Sequence, residues 1–358
     1  VTITDTNDQA PAWTTSTTAN VAEGATAVAT LAATDTDTAD SGGLTYAITT
    51  DDPGSGTQFS VSGTALTIAA QDYETPACGA GSNSLTCVVI LSATDAANTA
   101  TAHTITVTIT DTNDQTPVYQ AADANDAFSI AENTATSTVI DNGVITDTDT
   151  GNSFDCTLGG ADAGDFTCTI SGSNAQLKFA AVPDYDSPAD ADVNNVYVVT
   201  VLIDDGVADD ANGATTLTIT VSDLNDQAPA WTTSTTANVA EGATAVATMA
   251  ATDTDTADSG GLTYSITTND PSGTVFAVSS TALTMTAQDY ETPGCGSGSD
   301  SLTCVVVLAA TDAANTATAH TITVTITDTN DQAPAWTTSA TASVAEGATA
   351  VATMAATD

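Results

Sequence analysis

The sequence repeats itself along its length, and this repetition constrains its fold more than any other feature. Residues 1–35 reappear as residues 324–358 with three substitutions. A pentapeptide of the form Asp-x-Asn-Asp-Gln, followed after one residue by proline, marks each unit. It begins at Asp5, Asp111, Asp223 and Asp328. A chain with this period folds as a series of similar domains and not as one large core.

The pentapeptides predict where the domains begin and end. Both ends of the sequence fall inside repeats, so we expect a piece of a longer protein and attach no meaning to the missing targeting segment. The first and third full repeats are near copies, whereas the second is divergent. The predicted divisions are 1–9 (end of a preceding repeat and linker), 10–115, 116–227 and 228–332 (three full repeats) and 333–358 (start of a further repeat).

Within a repeat, apolar and polar residues alternate with a period of two. Residues 104–110 read Thr-Ile-Thr-Val-Thr-Ile-Thr, which is typical of a strand with one buried face. Aromatic residues make up only 4% of the chain, so the cores must consist mainly of Val, Ile, Leu and Ala. About seven such strands in roughly 100 residues predict an all-β fold of tandem immunoglobulin-like Greek-key β-sandwiches. We expect these sandwiches to form an elongated rod.

The charge balance excludes several functions. The chain has 45 acidic residues against a single Lys or Arg, Lys178, and a net charge of −44. Nucleic-acid binding requires basic side chains against phosphate, and anionic lipid headgroups would repel this surface. We also expect no membrane insertion in this segment, because it has no long apolar run. With two His and no nucleophile elbow or phosphate-binding loop, the sequence does not predict an enzyme.

The acids recur at fixed offsets in every repeat. An Asp-x-Asp pair such as Asp35 and Asp37 places both carboxylates on one side of an extended segment. Clustered carboxylates repel one another unless a divalent cation lies among them. Calcium fits best because it takes six to eight oxygen ligands, whereas no sulfur and nitrogen set is offered for zinc. The predicted cofactor is therefore Ca²⁺.

Five motifs in this order resemble the calcium motifs of cadherin repeats, and the resemblance covers essentially the whole chain. In the first repeat they are Ala22-Glu23-Gly24, Ala33-Thr34-Asp35-Thr36-Asp37, Gln71-Asp72-Tyr73-Glu74, Ala93-Thr94-Asp95 and Asp111-Thr112-Asn113-Asp114-Gln115. In that family, calcium lies between consecutive repeats. The resemblance therefore implies cadherin-like sandwiches with a ligand set at each junction.

The resemblance assigns the ligands junction by junction. The first junction takes Glu23, Asp72, Glu74, Asp111, Asn113, Asp114, Asp147, Asp149 and Asp204. The second takes Glu132, Asp184, Asp186, Asp223, Asn225, Asp226, Asp253, Asp255 and Asp312. The third takes Glu241, Asp289, Glu291, Asp328, Asn330, Asp331 and Asp358. The remaining candidates are Asp5, Asn7, Asp8, Asp35, Asp37 and Asp95 near the start, and Glu346 near the end.

Three departures from the family pattern bear on these sites. Gln replaces the last linker Asn, a position expected to contribute mainly its backbone oxygen. Asp186 stands where the other repeats have Glu, which shortens its reach. Only the second repeat approaches the extended Asp-x-Asp-x-Gly-x-Asn motif, in residues 147–152. The number of ions is therefore expected to vary between junctions.

The cysteines and aromatic residues also follow the repeat. Six Cys fall two per repeat, which predicts local disulfides and an oxidising compartment. The predicted pairs are Cys78–Cys87, Cys156–Cys168 and Cys295–Cys304. A large apolar residue after each linker is expected to plug the domain: Trp13, Tyr119, Trp231 and Trp336. His103 and His320 are expected at exposed positions where a strand starts.

These observations favour a structural role. The leading hypothesis is the calcium-rigidified shaft of an extracellular adhesin or surface filament, which mediates cell adhesion or fibre assembly. Its expected partners are calcium and other copies of the chain, through homotypic or lateral contacts. The expected location is the cell surface or a secreted filament, and the composition resembles that of microbial surface proteins. The alternative is a carbohydrate- or ligand-binding surface module.

Overall fold

In the computed structural model, the regular structure is almost entirely β-strand. The structure describes residues 1–37, 43–52, 57–78, 85–151, 153–206, 213–255, 261–271, 273–295 and 302–357. The strands of the first repeat are β1 (Ala12–Trp13), β2 (Thr18–Ala22), β3 (Ala27–Thr30), β4 (Ala33–Thr34), β5 (Thr45–Asp51), β6 (Phe59–Ser62), β7 (Ala65–Ile68), β8 (Thr86–Thr94) and β9 (His103–Thr110).

The second repeat has longer strands and one short 3₁₀ helix. Its strands are β10 (Val118–Gln120), β11 (Ala127–Ala131), β12 (Asp141–Thr146), β13 (Asp155–Gly159), β14 (Phe166–Ser171), β15 (Asn174–Phe179), β16 (Val196–Asp204) and β17 (Thr215–Ser222). The 3₁₀ helix is Ala163–Asp165, between β13 and β14.

The third repeat follows the pattern of the first. Its strands are β18 (Ala230–Trp231), β19 (Thr236–Ala240), β20 (Ala245–Thr248), β21 (Ala251–Thr252), β22 (Thr263–Thr268), β23 (Phe276–Ser279), β24 (Ala282–Met285), β25 (Thr303–Thr311) and β26 (His320–Thr327). Beyond them lie β27 (Ala335–Trp336) and β28 (Ala356–Thr357).

Each repeat is a sandwich of two main sheets. In the first, a four-stranded sheet in the order β2-β9-β8-β5 faces a three-stranded sheet in the order β3-β7-β6. The β2–β9 pair is parallel, whereas β9, β8 and β5 run antiparallel. A two-residue pair, β1–β4, adds to these sheets, so the first repeat has more strands than the seven predicted.

The third repeat has the same sheets, ordered β19-β26-β25-β22, β20-β24-β23 and β18-β21. In the second repeat, two four-stranded sheets form instead, ordered β11-β17-β16-β13 and β10-β12-β15-β14. The short strand β10 is therefore part of a main sheet there. This difference agrees with the divergence of the second repeat in sequence.

The alternating sequence pattern produces the core. Along β9, Ile105, Val107 and Ile109 are buried, and the threonines between them are exposed or half-buried. They pack against side chains of the opposite sheet, among them Phe59 and Leu66. Three disulfides join Cys78 to Cys87, Cys156 to Cys168 and Cys295 to Cys304.

The tryptophan after the linker closes one side of the core in the first and third repeats, whereas Trp336 is 70% exposed and does not plug a core as expected. Trp13 packs against the core of the first repeat, and its Nε1 donates to the carbonyl of Thr101 (3.1 Å). Its ring stacks on His103 with the centroids 4.6 Å apart. His103 is only 9% exposed, so the expectation of an exposed histidine is wrong: the stacking buries it. Trp231 and His320 stack in the same way, at 4.7 Å.

The chain divides into two compact units. The first comprises Val1–Ile130, Thr134–Val182 and Ala189–Thr220, and the second comprises Ala131–Asn133, Pro183–Pro188 and Val221–Asp358. Each acidic cluster discussed below lies within one unit. Among the described residues, no helix has the length and hydropathy needed to cross a bilayer.

Candidate metal centres

The glutamate of the first motif ties the base of its repeat to the linker. Glu23 Oε2 accepts from the backbone N–H of Tyr73 (2.7 Å), and Oε1 accepts from that of Thr112 (2.7 Å). In the other repeats, Glu132 accepts from the equivalent backbone N–H groups of Tyr185 and Leu224, and Glu241 accepts from those of Tyr290 and Thr329. The linker is therefore held in a fixed place beside the Asp-x-Glu motif.

The second aspartate of each Asp-x-Asp motif holds the other end of the linker. Asp149 Oδ2 accepts from the backbone N–H groups of Asp114 (2.9 Å) and Gln115 (2.7 Å). Gln9 and Gln227 donate in the same way to Asp37 and Asp255. The linker Gln therefore acts through its backbone N–H, and its side-chain Nε2 donates to the preceding Asp, as Gln115 does to Asp114 (2.8 Å).

Glu74 lies at the centre of the first cluster. One group of carboxylates, Glu23, Asp72 and Glu74, has ligand oxygens within 4.8 Å of one another. A second group, Glu74, Asp114 and Asp149, meets the same limit. Glu74 thus belongs to both groups, and its carboxylate oxygens would contribute to a metal ion bound at either one.

The remaining predicted ligands of the first junction form hydrogen bonds near the same linker. Asp111 Oδ2 accepts from the backbone N–H of Thr150 (2.5 Å), and Asn113 Nδ2 donates to the carbonyl of Asp205 (3.2 Å). Asp147 Oδ1 accepts from the backbone N–H of Asp149 (3.0 Å). Asp204 lies one residue before Asp205, at the end of β16, and accepts from the backbone N–H of Gly206 (2.6 Å).

The second cluster is built on Glu132, Asp186 and Asp226, whose ligand oxygens lie within 4.8 Å of one another. Asp255 is fully buried and accepts from Gln227, while Asp253 Oδ1 accepts from the backbone N–H of Asp255 (3.2 Å). The other predicted ligands are Asp184, Asp223, Asn225 and Asp312. Asp184 accepts from the backbone N–H of Ser187, and Asp312 accepts from those of Ala314 and Asn315. Asn225 Oδ1 accepts from Asn315 Nδ2, and Asp223 is half-buried at the start of the linker.

A third group comprises Asp35, Asp37 and Asp95 at one end of the first repeat, again within 4.8 Å. Asn7 approaches it, since Asn98 Nδ2 donates to Asn7 Oδ1 (2.7 Å), whereas Asp5 and Asp8 are exposed.

The third-junction residues Asp289, Glu291, Asp328, Asn330 and Asp331 are exposed, and Glu241 is half-buried. Glu346 is exposed, and Asp358 and Asn152 lie outside the described residues.

Many of the predicted ligand oxygens are buried and have no hydrogen-bond donor among the described residues. They are Asp35 Oδ2, both oxygens of Glu74, Asp111 Oδ1, Asn113 Oδ1, Asp147 Oδ2, Asp186 Oδ2, Asp253 Oδ2, Asp255 Oδ1 and Asp312 Oδ2. Buried oxygens are normally paired, because desolvation without a partner costs about 1–3 kcal/mol.

The sequence supplies almost no positive charge with which to neutralise these clusters, since 45 acidic residues face a single Lys or Arg. Its one Lys or Arg, Lys178, lies on β15. Two carboxylates 4.8 Å apart repel by on the order of 3 kcal/mol at an effective dielectric constant of about 20. Carboxylate, amide and backbone oxygens with no nitrogen or sulfur ligand form the donor set that calcium prefers. The residues present therefore fit calcium.

The pKa values of the central carboxyls are raised by the same burial and charge repulsion. Burial raises the pKa of Glu74 to about 7, and the neighbouring Glu23 and Asp149 add to this. Burial raises the pKa of Asp186 to about 6, with further contributions from Asp255 and Glu132. By contrast, hydrogen bonds from Thr75 lower the pKa of Asp72. The central carboxyls are thus the ones that most need a positive charge nearby.

Sequence reasoning missed three asparagines at these sites. Asn98 and Asn315 orient the linker residues Asn7 and Asn225 (2.7 and 2.6 Å), and Asn133 donates to Asp226 (2.5 Å). Asn98 and Asn315 each stand three residues after the Asp of the fourth motif, Asp95 and Asp312, and this shared offset was the available signal.

Comparison with known proteins supports the fold. No protein-family model matches the sequence, and no curated protein matches it. Among solved structures, the chain is similar to the protocadherin gammaB7 EC3-6 cis-dimer (TM-score 0.60, 21% identity, 91% of this chain and 76% of that one). It is also similar to mouse cadherin-23 EC22-24 (0.57, 22%, 90% and 100%) and to the human desmocollin-1 ectodomain (0.55, 19%, 92% and 64%). The predicted fold class is confirmed: the chain is a series of β-sandwiches with the fold of cadherin extracellular repeats.

Proposed function

We propose that this chain is a calcium-stiffened structural segment of an extracellular adhesion protein or surface filament. The observation that carries the proposal is the convergence of carboxylates from separate segments on the linkers at residues 111–115 and 223–227, with buried oxygens that have no donor. A cation bound there joins the base of one repeat, the linker and the top of the next. Calcium therefore converts a flexible linker into a rigid joint.

The location rests on the disulfides and on the structural neighbours. Local disulfides such as Cys156–Cys168 persist in oxidising, extracytoplasmic compartments. The similar solved structures are cadherin extracellular domains, and one is described as a cis-dimer. By analogy we propose homotypic or lateral contacts between copies of this chain, with the junctions setting the spacing of the repeats.

Calorimetric titration of the full chain tests the calcium proposal. Calcium should bind saturably and raise the unfolding temperature, whereas magnesium should bind more weakly because it requires a tighter octahedral site. Asp223→Asn should remove part of the calcium heat. Asp123→Asn, which neutralises an acid outside the clusters, is the matched control and should leave the isotherm unchanged. Equal effects of the two variants, or an absence of saturable binding, would refute the proposal.

A further inference from the structure

The second repeat differs from its neighbours directly after the motif glutamate. Asn133 stands where the first and third repeats have Gly24 and Gly242. All three residues have left-handed backbone, with φ of 61° for Asn133, 68° for Gly24 and 72° for Gly242. Asparagine tolerates this conformation better than most residues with a side chain. The substitution therefore keeps the chain path and adds an amide group.

That amide group reaches the second acidic cluster. Asn133 Nδ2 donates to Asp226 Oδ2 at 2.5 Å, and Asp226 is one of the three carboxylates, with Glu132 and Asp186, that lie within 4.8 Å of one another. The backbone N–H of Asn133 donates to the carbonyl of Pro183 (2.9 Å), which fixes the base of the side chain. At the first junction, Gly24 has no side chain to direct at Asp114, the equivalent of Asp226.

We propose that Asn133 lowers the calcium affinity of the second junction and so gives the two junctions different calcium thresholds. This inference rests on the proposed calcium function. A charge-assisted hydrogen bond from Asn133 stabilises Asp226 in the calcium-free cluster, and an incoming cation has to share or displace it. Because the pair is solvent-exposed, the expected effect is a three- to tenfold weaker affinity at the second junction.

The consequence for the protein is a graded response. As free calcium falls, the second junction loses its ion and becomes flexible while the first junction remains rigid. Since the first and third repeats are near copies, the divergent second repeat provides the joint that responds first. Asn133 is thus a residue that sets affinity without being required for the fold.

Exchanging the two residues in the full chain tests this inference. Asn133→Gly gives the second junction the residue of the first, and Gly24→Asn does the reverse. A Cβ at Gly24 meets nothing within 4 Å, and its φ of 68° suits asparagine, so both variants should fold. Hydrogen–deuterium exchange, followed by mass spectrometry over a series of buffered calcium concentrations, reads each junction separately. The two linkers differ in sequence, so their peptides are distinguishable.

The expected results are opposite for the two variants. Asn133→Gly should shift the calcium midpoint of protection at residues 223–227 three- to tenfold lower and leave residues 111–115 unchanged. Gly24→Asn should shift the midpoint at residues 111–115 upward by a similar factor and leave residues 223–227 unchanged. In each variant the unaltered junction is the internal control.

Two results would overturn the inference. An unmoved midpoint in Asn133→Gly would show that the Asn133–Asp226 hydrogen bond does not compete with calcium. A higher midpoint would show that the asparagine turns its amide oxygen to the ion and acts as a ligand. If calcium protects neither linker in the unaltered chain, the proposed function itself fails, and the inference fails with it.

Discussion

Replacing Glu74 by Gln should stabilise the calcium-free protein and weaken its calcium binding. Glu74 has both side-chain oxygens buried without a donor and belongs to two carboxylate groups of the first cluster. Neutralising it removes repulsion from Glu23 and Asp149 when no ion is present. With calcium present, the same change removes a charged ligand from two positions.

The size of the calcium-free effect follows from the pKa of Glu74, which burial raises from its ordinary value of 4.5 to about 7. Folding without calcium therefore favours the protonated carboxyl. The stability of the calcium-free protein should fall as the pH rises from about 4.5 to about 7, with the full loss present above that range. After discounting for solvent and salt screening, the loss is roughly 1–2 kcal/mol. In Glu74→Gln this contribution to the pH dependence should disappear.

The calcium effect has the opposite sign. Loss of a charge-assisted ligand costs about 1.5–3 kcal/mol, which corresponds to a roughly ten- to hundredfold weaker affinity at the first junction. Thermal unfolding in chelator between pH 5 and pH 8 measures the first effect, and calcium-dependent exchange protection of residues 111–115 measures the second. Asp123→Asn is the control for a simple change in net charge. A Glu74→Gln variant that is less stable without calcium, or that keeps the original calcium midpoint, would refute this reasoning.

Three further predictions follow from the geometry. Asp186→Glu should tighten calcium binding at the second junction by up to about tenfold, because the longer side chain allows both oxygens to reach the ion; an equal or weaker affinity in calorimetry would contradict this. Gly143→Ala should destabilise the second repeat by about 1–3 kcal/mol, since a Cβ there would lie 2.3 Å from Tyr119 Cε2; unchanged thermal unfolding would count against it. Reduction of the disulfides should cost about 2.5–3 kcal/mol per repeat in the chain-entropy model, and an unfolding temperature unaffected by reductant would exclude that contribution.

The fold was predictable because its signals are local and repeated. Alternation along residues 104–110 specifies which face of β9 is buried, and the structure buries Ile105, Val107 and Ile109 on that face. The linker pentapeptides predict where one sandwich ends and the next begins, and these boundaries stay a prediction. The number of strands was less accessible, because pairs such as Ala12–Thr34 and Trp13–Ala33 are too short to leave a periodic pattern.

The candidate sites were also predictable only in part. Motif order indicated which acids belong together, and the structure brings Glu23, Asp72 and Glu74 within 4.8 Å; their role as ligands stays a proposal. The contact between Asn133 and Asp226 was missed, because the motifs concern only the acids, and Asn133 stands where the other repeats have glycine. The burial of His103 was missed for a similar reason, since it depends on stacking against Trp13 from the far end of the repeat.

Calcium-dependent stiffening of the junctions is tested most directly by small-angle X-ray scattering of the full chain with calcium and with a chelator. Carboxylates from consecutive repeats converge on the linkers at residues 111–115 and 223–227, so a bound ion should hold the repeats in one arrangement, and its removal should leave them to repel and move. In calcium we expect a single narrow distance distribution with a well-defined maximum dimension. In chelator we expect a broad distribution with a changed maximum dimension. Identical distributions in the two conditions would contradict calcium-dependent rigidity.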